Sequence, residues 1–151
     1  MSKFYGYSVD ENMIICDAMT LPNATTKDSS NMVFVGNSAA LVEIRVYANT
    51  DINIASADSF SIELETYDSD SSANAAPPYY NNSSGWESDA HFYLLYKDSS
   101  DDDLLFKAGD LITAMAVPEG LLKSRGYLQL KFTASADVSA QKVDAFAHVL
   151  V

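Results

Sequence analysis

Strict alternation of apolar and polar residues, in several short runs, is the feature that most constrains the fold of this sequence. In the run Asp58–Tyr67, Phe60, Ile62 and Leu64 alternate with serine and glutamate residues. A period of two is typical of a β-strand with one buried face and one wet face, whereas an amphipathic helix repeats every ~3.6 residues. The run therefore predicts a strand of an antiparallel sheet.

Similar runs recur along the chain. Leu41–Ala48 and Gly126–Thr133 alternate in the same way, and Pro118 and Gly120 predict a compact turn ahead of the second run. Less regular apolar or aromatic runs predict further strands at Met32–Val35, His91–Tyr96, Asp103–Phe106, Leu111–Val117 and Val143–Val151. Because the helical signal is limited to one turn at Leu121–Ser124, the sequence predicts an all-β domain of about eight strands, an antiparallel β-sandwich or barrel.

The first thirty residues follow this pattern poorly. Met13–Ile15 predicts a short edge strand, and the rest of residues 1–30 is predicted to form an N-terminal arm ahead of a single β-sandwich domain over residues 31–151. No run approaches the ~18 apolar residues of a membrane span, and the N-terminus has no signal-peptide pattern. The single cysteine, Cys16, cannot form an internal disulfide, which suits synthesis in a reducing cytoplasm.

The chain is strongly acidic. Its 21 Asp and Glu residues outnumber 9 Lys and Arg residues, for a formal net charge of −12 at pH 7. Such a surface repels nucleic-acid phosphates and anionic lipids, so neither nucleic acid nor a membrane is an expected partner. The charge instead suits solubility and docking onto a protein surface that has basic patches.

Residues that carry catalysis are sparse. The sequence has no phosphate-binding glycine loop and no nucleophile or metalloprotease motif, and both histidines, His91 and His148, lie within predicted strands. Glu63 and Glu65 form a carboxylate pair of the kind that glycosidases use, but they share one strand face as solvation alone predicts. We therefore expect no enzymatic activity and no cofactor.

Two acidic segments are weak candidates for calcium binding. Asp68 and Asp70 in the first, and Asp101 and Asp103 in the second, offer the hard oxygen ligands that calcium prefers. The first segment resembles the start of an EF-hand loop, but it lacks the glycine and the glutamate that complete one. Solvated acidic loops are the preferred interpretation, so no metal site is predicted.

A polar loop over residues 68–89 is unusually long for a compact domain, and such loops are usually functional or disordered. It carries Tyr79, Tyr80 and Trp86. Exposed aromatic rings bring large contact area at low entropic cost, so these three residues are predicted to contact a neighbouring subunit or a sugar. The alternative is that the loop folds back and its rings cover the edge of a sheet.

The C-terminal third resembles a family of phage structural proteins. Residues 108–133, AGDLITAMAVPEGLLKSRGYLQLKFT, combine a strand, a Pro-x-Gly turn, a short link with a basic residue, and a Tyr-Leu-x-Leu strand that ends in an aromatic residue and threonine. Residues 140–151, AQKVDAFAHVLV, look like the last strand of the same family. The family is the Bordetella-phage cementing-protein group.

The resemblance implies a jelly roll on the exterior of an icosahedral capsid, made in the host cytoplasm and assembled as a homotrimer that bridges neighbouring major capsid proteins of the virion. It carries over no catalytic residue. Aromatic residues near strand ends, such as Tyr127 and Phe146, are then expected to pack between subunits around a threefold axis. Two alternatives stay open: another head, tail or baseplate part of a phage, and a lectin-like β-sandwich that binds carbohydrate.

Overall fold

A computed structural model describes residues 2–4, 7–9, 13–36, 41–67, 75–76, 80–81, 85–86, 92–116 and 126–150. Within these ranges the chain is antiparallel β-structure without an α-helix, and it therefore has no long apolar helix of the kind that crosses a bilayer. In chain order the strands are Ser2–Phe4 (β1), Tyr7–Val9 (β2), Ile14–Thr20 (β3), Thr26–Asp28 (β4), Val33–Gly36 (β5), Leu41–Ala48 (β6), Ile52–Ile54 (β7), Phe60–Tyr67 (β8), Ala75–Ala76 (β9), Tyr80–Asn81 (β10), Gly85–Trp86 (β11), Tyr93–Lys97 (β12), Leu104–Phe106 (β13), Leu111–Ala116 (β14), Gly126–Ala134 (β15) and Lys142–Leu150 (β16).

Most strands belong to two sheets. Sheet I has the order β14–β6–β16–β3. Sheet II has the order β12–β8–β15–β4, with β5 beside β4 along the same edge of β15 and β9 beside β12 along the edge of β8. An eight-pair ladder joins β8 to β15 without a register shift, from Phe60 opposite Ala134 to Tyr67 opposite Tyr127, and β6 pairs with β16 over the same length. The pairs β1–β2, β7–β13 and β10–β11 form separate two-stranded ladders.

The two sheets share one hydrophobic core. The alternation along each strand directs one set of side chains inward, and burying each large aliphatic side chain contributes about 1.5–3 kcal/mol. Inward-facing residues of both sheets, each at most 1% exposed, include Val42, Ile44, Val46, Ile62, Leu64, Leu128, Leu130 and Phe132. The β7–β13 ladder extends this core, because Ile52 and Ile54 are buried in it and Leu104 and Phe106 pack against it.

The predicted all-β antiparallel fold is confirmed. The strands expected from alternation at Leu41–Ala48, Asp58–Tyr67 and Gly126–Thr133 correspond to β6, β8 and β15. The less regular runs also form strands, although β5 and β13 each begin one residue later than predicted and β12 begins two residues later. The helical turn expected at Leu121–Ser124 and the turn at Pro118 lie outside the described residues.

Residues 14–28 do not form the expected N-terminal arm. β3 is a 7-residue edge strand of sheet I, longer than the one predicted at Met13–Ile15, and β4 pairs with β15 in sheet II. Ile15 and Cys16 have no exposed surface. The alternation is obscured here because β3 shifts register against β16 around Ala18, whose φ of 50° is left-handed.

Candidate binding groove on sheet II

The outer face of sheet II carries a groove of about 420 Å³, which lies within the ~300–1,000 Å³ typical of small-molecule sites. Strands β4, β8, β12 and β15 build it, because the residues that alternate with their core residues face outward together. The groove presents hydroxyl groups, two tyrosine rings and two opposite charges, contributed by Ser61, Thr133, Tyr93, Tyr96, Glu63 and Lys131.

A register shift in β12 places both tyrosines on the groove side of the sheet. Tyr93 and Leu95 face consecutive residues of β8, Glu63 and Ile62, so β12 holds one extra residue between them. Tyr93 and Tyr96 therefore both point outward, with ring centroids 5.1 Å apart and ring planes at 55°. Tyr96 is 58% exposed and offers most of one ring to a ligand.

A cluster of two carboxylates and one ammonium group lies beside the groove. Lys131 Nζ is 3.2 Å from Glu65 Oε2, whereas Glu65 Oε1 is buried and finds no hydrogen-bond partner among the described groups. Burial, followed by a hydrogen bond with Asp28 and the negative charge of Asp28, raises the pKa of Glu65 to about 7, although Lys131 acts in the opposite direction. Near neutral pH, Glu65 is therefore divided between its protonated and ionised forms.

Lys97 anchors the end of β12 beneath the groove. Its side chain is buried, and Nζ donates hydrogen bonds to the carbonyl oxygens of Ser56 at 3.2 Å, Asp58 at 2.6 Å and Asp98 at 3.1 Å. A buried ammonium group is tolerated where such acceptors replace its hydration shell. Lys97 thus ties the loop between β7 and β8 to the end of β12, a role that its residue type did not reveal because lysine at a strand end usually meets solvent.

The outer face of sheet I is covered around one aromatic cluster, unlike the groove region of sheet II. Phe146 is only 1% exposed, and its ring stacks on Tyr47 with centroids 6.0 Å apart and planes at 11°. Met13 and Ile14 pack against this pair. The prediction of Phe146 as a partner contact is therefore not met, because the ring packs within this cluster and has no free surface.

Asp144 is a buried anchor on the same outer face of sheet I. Its Oδ1 accepts a hydrogen bond from the backbone nitrogen of Ala18 at 2.6 Å, and its Oδ2 accepts one from Asn49 Nδ2 at 3.0 Å. The first bond holds the irregular part of β3, and the second holds the loop that follows β6. Such charge-assisted hydrogen bonds are what make a carboxylate acceptable at 2% exposure.

Tyr127 lies on the outer face of sheet II, on the same side of β15 as Lys131. Its ring centroid is 4.9 Å from that of Phe34 on β5, with ring planes at 53°. Phe34 is 45% exposed and Tyr127 is partly buried. We call Phe34 and Tyr127 the aromatic pair. The two rings contact each other and form an apolar surface that is separate from the groove.

The long polar loop is described only in part. The backbones of Tyr80 and Trp86 are paired in the β10–β11 ladder. Tyr79, Asp68 and Asp70 lie outside the described residues. The contacts predicted for the three loop aromatics, and the calcium binding considered for the two aspartates, stay untested by this geometry.

The aspartates of the second acidic segment accept hydrogen bonds from loop backbone nitrogens. Asp101 Oδ2 accepts a hydrogen bond from the backbone nitrogen of Asp98 at 2.8 Å, and Asp103 Oδ1 accepts one from that of Ser56 at 2.6 Å. Both side chains serve loop geometry in this way and do not converge on a common point. In the part of the chain that the structure describes, no group of three or more His, Cys, Asp or Glu side chains is arranged to hold a metal ion.

The remaining candidates for chemistry are dispersed. His148 is exposed on β16 opposite Glu43, and His91 lies outside the described ranges. Burial, and after it the negative charge of Asp144, raises the pKa of the Cys16 thiol to about 12. Because the thiolate is the reactive form, Cys16 is inert at neutral pH.

Comparison with known proteins adds no relative to this description. No protein-family model matches the sequence, and no curated protein matches it. The function is therefore inferred from the fold and the surfaces of the chain itself.

Proposed function

We propose that this protein is a structural virion protein, a capsid cement or decoration protein that binds the outside of a phage head and stabilises contacts between major capsid proteins. The observation that carries the proposal is the strand order. With β4 and β5 counted as one interrupted strand, the orders β3–β16–β6–β14 and β4/β5–β15–β8–β12 support a jelly roll of eight main strands. Jelly rolls recur in viral capsid and lectin domains.

The path of the chain supports the same architecture. Passing from β3 to β16, the main strands alternate between sheet I and sheet II, except that β8 and β12 lie side by side in sheet II. The register shifts in the β12–β8, β14–β6 and β15–β5 pairings lie near strand ends. The resemblance of residues 108–133 and 140–151 to the cementing-protein group covers β14, β15 and β16 of this arrangement.

The surface of the protein is suited to docking. The aromatic pair exposes apolar area that is already ordered, and aromatic side chains dominate the energetics of many protein interfaces. The net charge of −12 favours a partner surface with basic patches and speeds the encounter with it. We therefore propose that the aromatic pair contacts the major capsid protein. From the resemblance to the cementing-protein group, we further propose that the docked form is a homotrimer.

Co-sedimentation of the purified protein with phage heads that lack it tests this proposal, together with light scattering on the free protein. We expect saturable binding and a mass of about three times the 16.4 kDa of one chain. Phe34→Ala and Tyr127→Ala should each weaken head binding about tenfold or more. Tyr96→Ala removes another exposed ring from the same sheet and serves as the matched control that retains binding.

A monomer that never sediments with heads contradicts the proposal. Binding to tails or baseplates in place of heads would favour the other class of virion protein. If heads are bound equally well by the wild type, Phe34→Ala and Tyr127→Ala, the capsid role stands and the contact lies on another surface.

A further inference from the structure

We propose that the groove on sheet II binds a neutral saccharide, with Tyr96 stacking on a sugar ring and with Glu63 and Lys131 holding its hydroxyl groups. The site is separate from the aromatic pair, so it adds a binding activity to the proposed virion role. Most of its residues come from strands of the sheet, with Glu63 and Lys131 on the central strands β8 and β15, and strands hold side chains more rigidly than a loop would.

The stacking surface is already ordered. Tyr96 is 58% exposed, and its ring is supported at 5.1 Å by that of Tyr93. A tyrosine ring combines a large apolar face with only two side-chain torsions, so little conformational entropy is lost when a flat ligand covers it. The C–H face of a pyranose ring is a ligand of this kind, apolar on one side and ringed by hydroxyl groups.

The polar groups of the groove match the rim of such a sugar. Glu63 and Lys131 are direct cross-strand partners between β8 and β15, so they place a hydrogen-bond acceptor and a donor on adjacent strands. Thr26 Oγ1 and Thr133 Oγ1 are hydrogen-bonded to each other at 3.0 Å at the same side of the groove. Hydroxyl groups both donate and accept, so the two hydroxyls of a diol match the acceptor of Glu63 and the donor of Lys131.

Charge selects a neutral sugar over an acidic one. Glu63 and Lys131 balance each other within the groove, whereas Asp28 and Glu65 lie just beyond it and the whole chain carries −12. This field raises the free energy of a bound carboxylate or sulfate. At about 420 Å³, the groove has room for a disaccharide-sized ligand.

Saturation-transfer NMR with maltose, cellobiose, lactose and diacetylchitobiose, each at millimolar concentration, tests the proposal on the intact protein. We expect transfer to ring protons of at least one of these sugars. Tyr96→Ala should weaken that binding about tenfold, whereas Tyr96→Phe keeps the ring and should retain it. Glu63→Gln should also weaken it, and Phe34→Ala, on the same sheet outside the groove, should leave it unchanged.

Absence of transfer to all four sugars overturns the proposal, as does equal transfer to the wild type and Tyr96→Ala. Sialyllactose that binds as tightly as lactose overturns the preference for a neutral ligand. Tyr96 is a surface residue, so circular dichroism of Tyr96→Ala should match the wild type and exclude misfolding as the cause of lost binding. Head binding is measured separately with Phe34→Ala, so failure of one proposal leaves the other open to its own test.

Discussion

The two sheets follow the same alternating pattern, but they use their outer faces in opposite ways. On sheet I, Phe146, Asp144 and Tyr47 are 1%, 2% and 7% exposed, so part of the face away from the core is itself covered. On sheet II, Tyr96 is 58% exposed and a groove of about 420 Å³ lies open beside it. Part of sheet I is therefore buried on both sides, whereas sheet II offers its second side to solvent.

This difference separates stability from recognition within one small domain. Sheet I contains buried rings and a carboxylate that accepts two hydrogen bonds. Removing any of these groups should lower the free energy of unfolding substantially. Sheet II keeps polar and aromatic groups at its surface, where a change costs little stability and alters what the surface binds. Substitutions at matched positions on the two faces are thus expected to give opposite phenotypes.

The largest expected effect is at the covered aromatic ring. Phe146→Ala should lower the free energy of unfolding by about 3–5 kcal/mol, because it removes a buried ring that stacks on Tyr47. Phe34→Ala, which removes a ring that is 45% exposed on sheet II, should cost less than about 1 kcal/mol. Urea unfolding of both variants measures the difference, and equal losses would remove the distinction between the two faces.

Lys97 on sheet II is an exception to this contrast, because it is a charged side chain that is buried and hydrogen-bonded. Lys97→Met should destabilise the protein by about 3 kcal/mol, since it leaves the carbonyl oxygens of Ser56, Asp58 and Asp98 without their shared donor. Lys107, 84% exposed and 3.9 Å from Asp51, is the matched control, and Lys107→Met should change stability by less than about 0.5 kcal/mol. Thermal unfolding that ranks the two variants equally would show that the three hydrogen bonds add nothing.

A matched pair of aspartates tests the same contrast with polar groups. Asp144→Ala should cost about 2–3 kcal/mol, because the backbone nitrogen of Ala18 and the amide of Asn49 lose their acceptor. Asp28→Ala on sheet II should be neutral or slightly stabilising, since it removes a negative charge beside Glu65. Denaturant midpoints of the two variants that shift together would contradict the contrast.

The smallest expected effect is a pH dependence set by Glu65. Its pKa of about 7 in the folded protein lies above its ordinary value of 4.5, so the folded state binds more protons than the unfolded state between these values. Stability should therefore fall as pH rises from ~4.5 to ~7, by about 1 kcal/mol once partial exposure is allowed for.

Glu65→Gln removes the titrating group and should flatten this part of the stability curve. Glu43→Gln on the outer face of sheet I leaves Glu65 in place and should keep the slope. The measurement is the free energy of unfolding at several pH values, and a slope of the opposite sign in the wild type would contradict the burial of Glu65.

The strands themselves were accessible from the sequence, because alternation states which side chains share a face. Phe60, Ile62 and Leu64 were predicted to point inward and do so. Alternation cannot state whether the other face is covered, so Phe146 was expected at a surface and lies in a second buried cluster. The predicted length of β3 was too short for a related reason, since the register shift near Ala18 breaks the period of two.

The groove was not visible in the sequence, because its residues come from four strands that are distant along the chain. Glu63 and Lys131 lie in separate alternating runs of the sequence, and their pairing depends on the register of β8 with β15. Lys97 was missed because its residue type is typical of solvent. The register shift between β12 and β8, where Tyr93 pairs with Glu63 and Leu95 pairs with Ile62, also could not be read from the aromatic run of β12.

The central position of β16 has a consequence for how the chain folds. β16 lies between β6 and β3, and the hydrogen bond from Cys16 to Val143 spans 127 residues of sequence. Such non-local pairings make folding slow, on the order of milliseconds to seconds for all-β domains. Until residues 142–150 are added, Ile15 and Val42 lack their neighbour and stay exposed to other chains. The net charge of −12 then acts as protection against aggregation, because unfinished chains repel one another during that interval.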